Sequence, residues 1–216
     1  MEVVILYDND AKKGFKKSWG FSCLVGEEVL FDVGADFEKL MFNINKASVN
    51  IDKVDKVILS HQHRDHVGGI KILSKLGDVK VFIPKSFSAH FKKSLKNYPN
   101  VTCVEVDEAR EICEGFFTTG ELGRFNKEQS LIVETKNGVS VITGCSHPGL
   151  ENILEKASSF GDIYGVIGGF HGFNKLEVLR EIKLIVPCHC TTKKKKILDI
   201  YPSSSLKCSA GRKIQI

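Results

Sequence analysis

Apolar residues in this chain come in short blocks broken by glycine, proline, asparagine and charged side chains. Spacing within each block separates strands from helices. Apolar blocks at residues 3–7, 21–25, 28–32 and 55–60 predict short buried strands, with turns near Gly20 and Gly26. Phe37, Leu40, Met41 and Ile44 recur at helical spacing and predict an amphipathic helix over residues 37–46. Residues 67–76 read as a helix ended by Gly77, 79–83 as a strand closed by Pro84, and 88–96 as a further helix. Strands are expected at 101–106 and 116–119. Residues 130–135 and 138–143 flank Lys136-Asn137 and predict a hairpin with an Asn-Gly turn. A helix at 150–158, a strand at 163–167, a helix at 175–181 and a strand at 184–186 complete the pattern. Taken alone, this periodicity gives a mixed α/β domain without internal repeats.

Composition narrows the class. With 216 residues and 42% hydrophobic content the chain can bury a good core, and a single domain over 1–216 is expected. No run approaches the roughly 18 to 20 apolar residues that cross a bilayer. Residues 1–8 lack a basic segment ahead of their apolar stretch, so they read as a first strand, not a secretory signal. Seven cysteines, an odd number, with Cys188 and Cys190 flanking His189, point to a reducing cytoplasm and away from a disulfide framework. The net charge of +5 is concentrated in Lys193, Lys194, Lys195 and Lys196. That run lacks the interleaved aromatics of a nucleic-acid surface and reads as a solvated helix face or loop. The expected partner is a small molecule, not nucleic acid or a membrane; a homo-oligomer stays open.

The chemistry is concentrated in Ser60-His61-Gln62-His63-Arg64-Asp65-His66-Val67-Gly68-Gly69. Imidazole nitrogen and carboxylate oxygen suit zinc, iron or manganese. His61 and His63, two apart on an extended loop, project the same way and can hold one ion. Asp65 and His66 turn toward a second position, and the two glycines let the backbone pack closely as a helix begins.

The His-x-His-x-Asp-His run resembles the signature of the metallo-β-lactamase-fold hydrolases, mostly dinuclear metal enzymes. Leu30-Phe31-Asp32-Val33-Gly34 is similar to the strand that precedes that signature. The segment from Val139 to Gly149, containing Gly144-Cys145-Ser146-His147-Pro148, resembles a later ligand segment, as does Val186-Pro187-Cys188-His189-Cys190-Thr191. Together they resemble the dihydropteroate-synthase-like subfamily, whose archaeal members are associated with ribofuranosylaminobenzene 5'-phosphate synthesis. The likeness spans about residues 19–192. It implies an α+β, αβ/βα four-layer sandwich of two packed mixed β-sheets flanked by helices. It also implies two divalent ions, zinc first with iron or manganese as alternatives. His147 would complete the His61/His63 position and His189 the Asp65/His66 position.

The chain departs from the family pattern in two places. Most members carry a histidine well before the strand at 139–143, where this chain has only His90, which reads as a helix-surface residue. Cys145 stands where a bridging aspartate is expected. Either His147 replaces the missing histidine and Cys145 is a thiolate ligand, or Cys145 is a small buried residue and the site is mononuclear or completed by Glu128 or solvent. Asp32 ends a strand, where it would accept the second N–H of a ligating histidine. His171, in Gly168-Gly169-Phe170-His171-Gly172, would donate to a substrate oxygen or leaving group, contact phosphate or add a ligand. Arg124 is the candidate anion contact. Asp65 would both bind metal and orient the attacking water. The expected activity is metal-dependent hydrolysis of a small, phosphorylated substrate. The rival readings are a nuclease of the same fold, a di-iron redox protein, and a metal-binding sensor without turnover.

Overall fold

The computed structural model describes residues 1–216. The first half of the chain forms β1 (Glu2–Tyr7), β2 (Ser22–Val25), β3 (Val29–Phe31), α1 (Phe37–Lys46), β4 (Lys56–Ile58), α2 (Arg64–Val67), β5 (Val79–Pro84), α3 (Ala89–Leu95) and β6 (Val101–Val106). The second half forms β7 (Glu108–Cys113), β8 (Phe116–Gly120), β9 (Leu131–Thr135), β10 (Gly138–Thr143), α4 (Leu150–Ser158), β11 (Ile163–Gly169), β12 (Leu184–Cys188), α5 (Lys194–Ile200) and β13 (Lys213–Gln215).

Two mixed sheets result, ordered β13-β1-β2-β3-β4-β5-β6 and β12-β11-β10-β9-β8-β7. Each is antiparallel along one side and parallel along the other, the parallel runs being β3-β4-β5-β6 and β10-β11-β12. Strand β1 shows why its apolar run is unbroken. Val3 and Ile5 enter the core between the sheets, while Val4 and Leu6 enter a second core beneath α1 with Leu40 and Ile44. Both faces of that strand are covered, so alternation is lost. On the other sheet, Val139 and Val141 of β10 pack under Leu150, Ile153 and Leu154 of α4. The order helix, sheet, sheet, helix is the four-layer sandwich the sequence resemblance implies.

The expected helix at 67–76 is broken in two. It becomes the one-turn α2 and a 3-10 turn at Ile70–Lys75. Gly68 and Gly69 lie hard against the preceding loop, where an added Cβ would sit 2.4 Å from the Ala35 carbonyl oxygen and 2.1 Å from that of Val33. The expected helix at 175–181 is a 3-10 turn, Leu176–Leu179. Edge strands β7 and β13 lie outside the predicted pattern; β7 is mostly exposed and so carries no apolar alternation. No helix is long and apolar enough to cross a membrane.

The fold positions the site through its parallel strands. Loops leaving the carboxyl ends of β3, β4, β10, β11 and β12 carry Asp32, His61 to His66, Cys145 with His147, His171 and His189 respectively. Such ends are where open parallel sheets gather polar groups.

Candidate metal centre

Strand β4 delivers the histidine loop, and backbone hydrogen bonds fix its course. Phe21 N–H donates to the Asp65 carbonyl at 3.2 Å, and Val33 N–H to that of His66 at 2.8 Å. His63 is the residue before α2, in extended backbone, so its ring leaves the helix and turns back toward His61. His61 Nε2 and His63 Nδ1 are 3.0 Å apart. His147 closes the group, its ring centre 4.7 Å from that of His61 and 4.9 Å from that of His63. The three donor atoms lie within 4.8 Å of one another. A second group combines Asp65, His66 and His189. His189 Nε2 is 3.0 Å from Asp65 Oδ2, and His66 Nε2 is 3.8 Å from the same oxygen.

Cys145 stands between the two groups. Its sulfur is 3.1 Å from His66 Nε2 and 3.2 Å from Cys190 Sγ. It forms one candidate donor group with His61 and His66 and another with His189 and Cys190. The turn that carries it is built on Glu128. One carboxylate oxygen accepts from the N–H groups of Gly144, Cys145 and Ser146 at 3.0, 2.9 and 3.1 Å, and from Thr143 Oγ1 at 3.0 Å. The other accepts from His147 N–H at 3.0 Å. Glu128 is therefore engaged in folding the turn, and it belongs to none of the candidate donor groups. Gly144 is required on steric grounds: a Cβ there would meet Ser60 Oγ at 2.2 Å.

One buried carboxylate joins the two groups. Asp32 Oδ2 lies 2.7 Å from His66 Nδ1 and accepts from Ser60 Oγ at 2.7 Å, while Oδ1 accepts from Ser60 N–H at 2.7 Å. Ser60 Oγ is in turn 2.9 Å from His61 Nδ1. Asp32 thus reaches His66 directly and His61 through Ser60, leaving the Nε2 atoms of both rings free to face the centre. His189 is held by the first strand's end instead. Asp8 Oδ1 accepts from its backbone N–H at 2.6 Å, and Asn9 Oδ1 sits 3.0 Å from its Nδ1. Positive φ falls on only five non-glycine residues, and four of them, Asp32, Ser146, His171 and His189, lie in these loops. Backbone strain of this kind persists where the surroundings over-determine it, commonly at functional sites.

Electrostatics favours the ligating protonation states. Burial, reinforced by His66, pushes the His61 imidazole well below its ordinary value. Burial, reinforced by His189, takes His66 down to about 3. Burial also lowers His147. Burial would raise the Asp65 carboxyl, but the His189 hydrogen bond and the His66 ring hold it well below the usual range. Neutral imidazoles and an ionised carboxylate are what a cation requires. Burial raises the Asp32 carboxyl, against the pull of its Ser60 donors. The Cys190 hydrogen bond and burial push the Cys145 thiol far up, so a thiolate there needs a cation beside it.

His147 Nε2 supplies the test of fit. It is buried with no hydrogen-bond partner, a condition that costs about 1–3 kcal/mol when nothing satisfies the atom. His147 belongs to the same donor group as His61 and His63, so a cation held there through Nε2 would satisfy the atom. The donor set, imidazole, carboxylate and thiol, fits zinc-class ions.

Three cavities border the first group. One of about 400 Å³ runs between His147 and His171 past Glu151 and Asn174. Another of about 670 Å³ joins His147 to Arg124 and Phe125, and a third of about 260 Å³ touches His61, His63 and Phe125. His171 is exposed, its ring centre 5.2 Å from that of His147, and its carbonyl accepts from Thr192 N–H at 2.9 Å. Arg124 is exposed on the wall of its cavity and touches no donor group. Sequence reading did not assign roles to Ser60, Asp8, Asn9 or Cys190. Only Cys190 left a trace, as the second cysteine flanking His189.

Comparison with known proteins agrees with this geometry. A family model of the Metallo-beta-lactamase superfamily matches residues 24–189. The crystal structure of Tm1679, a metal-dependent hydrolase of the beta-lactamase superfamily, superposes with a TM-score of 0.83 at 30% identity, covering 100% of this chain and 99% of that one. The metallo-beta-lactamase fold protein YhfI from Bacillus subtilis shares the fold with a TM-score of 0.68 at 15% identity, over 99% of each chain. A 7,8-dihydropterin-6-methyl-4-(beta-D-ribofuranosyl)-aminobenzene-5'-phosphate synthase from Methanocaldococcus jannaschii is 25% identical, over 77% of this chain and 76% of its own. The chain belongs to the metallo-beta-lactamase superfamily.

Proposed function

We propose that this protein is a hydrolase that holds two divalent ions, zinc first, in its paired donor groups and acts on a small phosphorylated substrate. His61, His63 and His147 would hold one ion, and Asp65, His66 and His189 the other, with Cys145 between them. The observation that carries the reading is the meeting of two three-donor groups at one six-residue loop that supplies four of the six donors, with His147 Nε2 buried and unpartnered among them. When bound, the ions supply the Lewis acidity that acidifies water and polarises the bond under attack.

The chain's own residues do the rest. Asp65 stays ionised and partly open to solvent, so its carboxylate can accept a hydrogen bond from the attacking water and orient it. Asp32 and Ser60 hold the rings of His66 and His61 against rotation. His171 faces the cavity beside His147, where its ring can donate to a leaving oxygen. Arg124 can meet an anionic group at the neighbouring cavity. The phosphorylated compound named in the Methanocaldococcus jannaschii relative supports that substrate class. Thiols at the centre suit a reducing cytoplasm.

The test is turnover of p-nitrophenyl phosphate and bis-p-nitrophenyl phosphate by zinc-loaded protein, with and without a chelator. Chelator-sensitive hydrolysis that His63→Ala abolishes is expected. Metal binding without hydrolysis of either ester would overturn the phosphate-ester reading and favour a sensor.

A further inference from the structure

The run Cys188-His189-Cys190-Thr191 leaves β12 and turns sharply. Its four side chains divide among the core, the backbone and the donor cluster. Cys188 is fully buried in the core between the sheets, with its sulfur on the Val186 carbonyl. Thr191 turns to backbone, its hydroxyl donating to the Cys188 carbonyl at 2.7 Å and accepting from Phe170 N–H at 2.9 Å. His189, at a φ of 40°, faces Asp65. Cys190 faces the same way, and its sulfur lies 3.2 Å from Cys145 Sγ.

Room for that sulfur is made by a missing side chain. A Cβ on Gly169 would stand 2.4 Å from the Gly144 carbonyl oxygen and 2.7 Å from Cys190 Sγ, so glycine is required by the neighbouring backbone and also leaves the space that the Cys190 sulfur takes. Donor atoms of Cys145, His189 and Cys190 all lie within 4.8 Å of one another. An S–H donor to a second sulfur is a weak reason to hold two cysteines together beside an ionised carboxylate and a ring nitrogen. A cation held between them would take both sulfurs as ligands.

We propose that Cys190 is a metal ligand, a second sulfur that joins Cys145 and His189 and makes this side of the centre selective for thiophilic dications such as zinc over magnesium or manganese. The proposal rests on the reading that the donor groups bind divalent ions, and it adds to that reading which ion class and which extra side chain. Two sulfurs, one imidazole and a carboxylate within reach form a softer set than the three imidazoles opposite.

Cobalt(II)-substituted protein, prepared under a non-thiol reductant, reads the sulfurs directly through thiolate-to-cobalt charge-transfer absorption in the near ultraviolet. The wild type should show this band. Cys190→Ser should lower its intensity by about half if each thiolate contributes equally, and the double variant Cys145→Ser/Cys190→Ser should abolish it. Cys103→Ser, altered on the exposed edge strand β6, should leave the band unchanged. Full intensity in Cys190→Ser would overturn the proposal and leave Cys190 as a hydrogen-bond donor only. Failure of the wild type to take up cobalt would overturn the metal reading itself. Should Cys190→Ser not fold, cadmium-113 resonance of the wild type decides. A signal displaced downfield into the two-thiolate region supports ligation by Cys190, and one in the single-thiolate region overturns it.

Discussion

The two halves of the donor cluster differ in how they meet solvent. His61, His63 and His147 border all three cavities described, and His63 is exposed while His147 is half-buried. His66, His189 and Cys145 are 0%, 2% and 3% exposed, while Asp65 and Cys190 are partly open to water. Support differs as well. Asp8 and Asn9 hold His189 alone, whereas Asp32 reaches both halves and the turn folded around Glu128 carries both Cys145 and His147. One loop thus feeds an open, all-imidazole side suited to exchange with substrate, and a closed, sulfur-containing side suited to retention. Both halves use histidine, so burial, support and the sulfur of the closed side distinguish them.

Breaking the open side should cost most. His63→Ala removes one of three donors there and should reduce hydrolysis to background while one equivalent of metal remains; activity assays paired with elemental analysis check this. Next in size is Glu128→Ala, which strands four buried N–H groups of the Gly144 to His147 turn. At about 1–3 kcal/mol for each unsatisfied group, several kcal/mol of stability should be lost, read as a lower urea midpoint with loss of the His147 side first.

Asp32→Asn keeps the shape but replaces one of the acceptor oxygens that His66 and Ser60 address with an amide N–H donor. Metal affinity should weaken by roughly 10–100-fold with the fold intact, measured by competition with a chromophoric chelator. The pH response sharpens the same contrast. In protein stripped of metal, the folded chain keeps His66 neutral to about 3, against an ordinary value of 6.5. The unfolded chain therefore binds more protons between those limits. Its contribution is complete above about pH 6.5 and is lost as pH falls toward 3, so denaturation midpoints should decline across that window. Smallest is Arg124→Ala. An exposed guanidinium contacting an anion should raise KM by roughly threefold to tenfold and leave kcat nearly unchanged.

Much of the architecture was legible because burial writes itself into spacing. Unbroken apolar strands such as β1 and the helical spacing of Phe37, Leu40 and Ile44 follow from which faces are covered. The 3-10 break after α2 was not legible, since it comes from Gly68 and Gly69 meeting Ala35 and Val33, a contact between distant segments. Edge strand β7 was hidden for the opposite reason: mostly exposed, it has no buried face to impose a period. In the site, ligand-type residues stood out by density, and the fold gathers His61, His63, Asp65, His66, Cys145, His147 and His189. Apart from Asp32, the residues that hold them did not stand out. Glu128 works through backbone N–H groups that every sequence possesses, and Asp8 and Asn9 reach His189 across some 180 positions. Such partners acquire meaning only when the chain folds.

The most direct test of two unlike half-sites is metal content during chelation. Zinc-loaded protein would be exposed to a chelator, sampled over time and measured by elemental analysis. Two equivalents are expected at the start, released in two phases, with the fast phase missing from His63→Ala. A single equivalent, or two leaving together in one phase, would contradict two unlike half-sites.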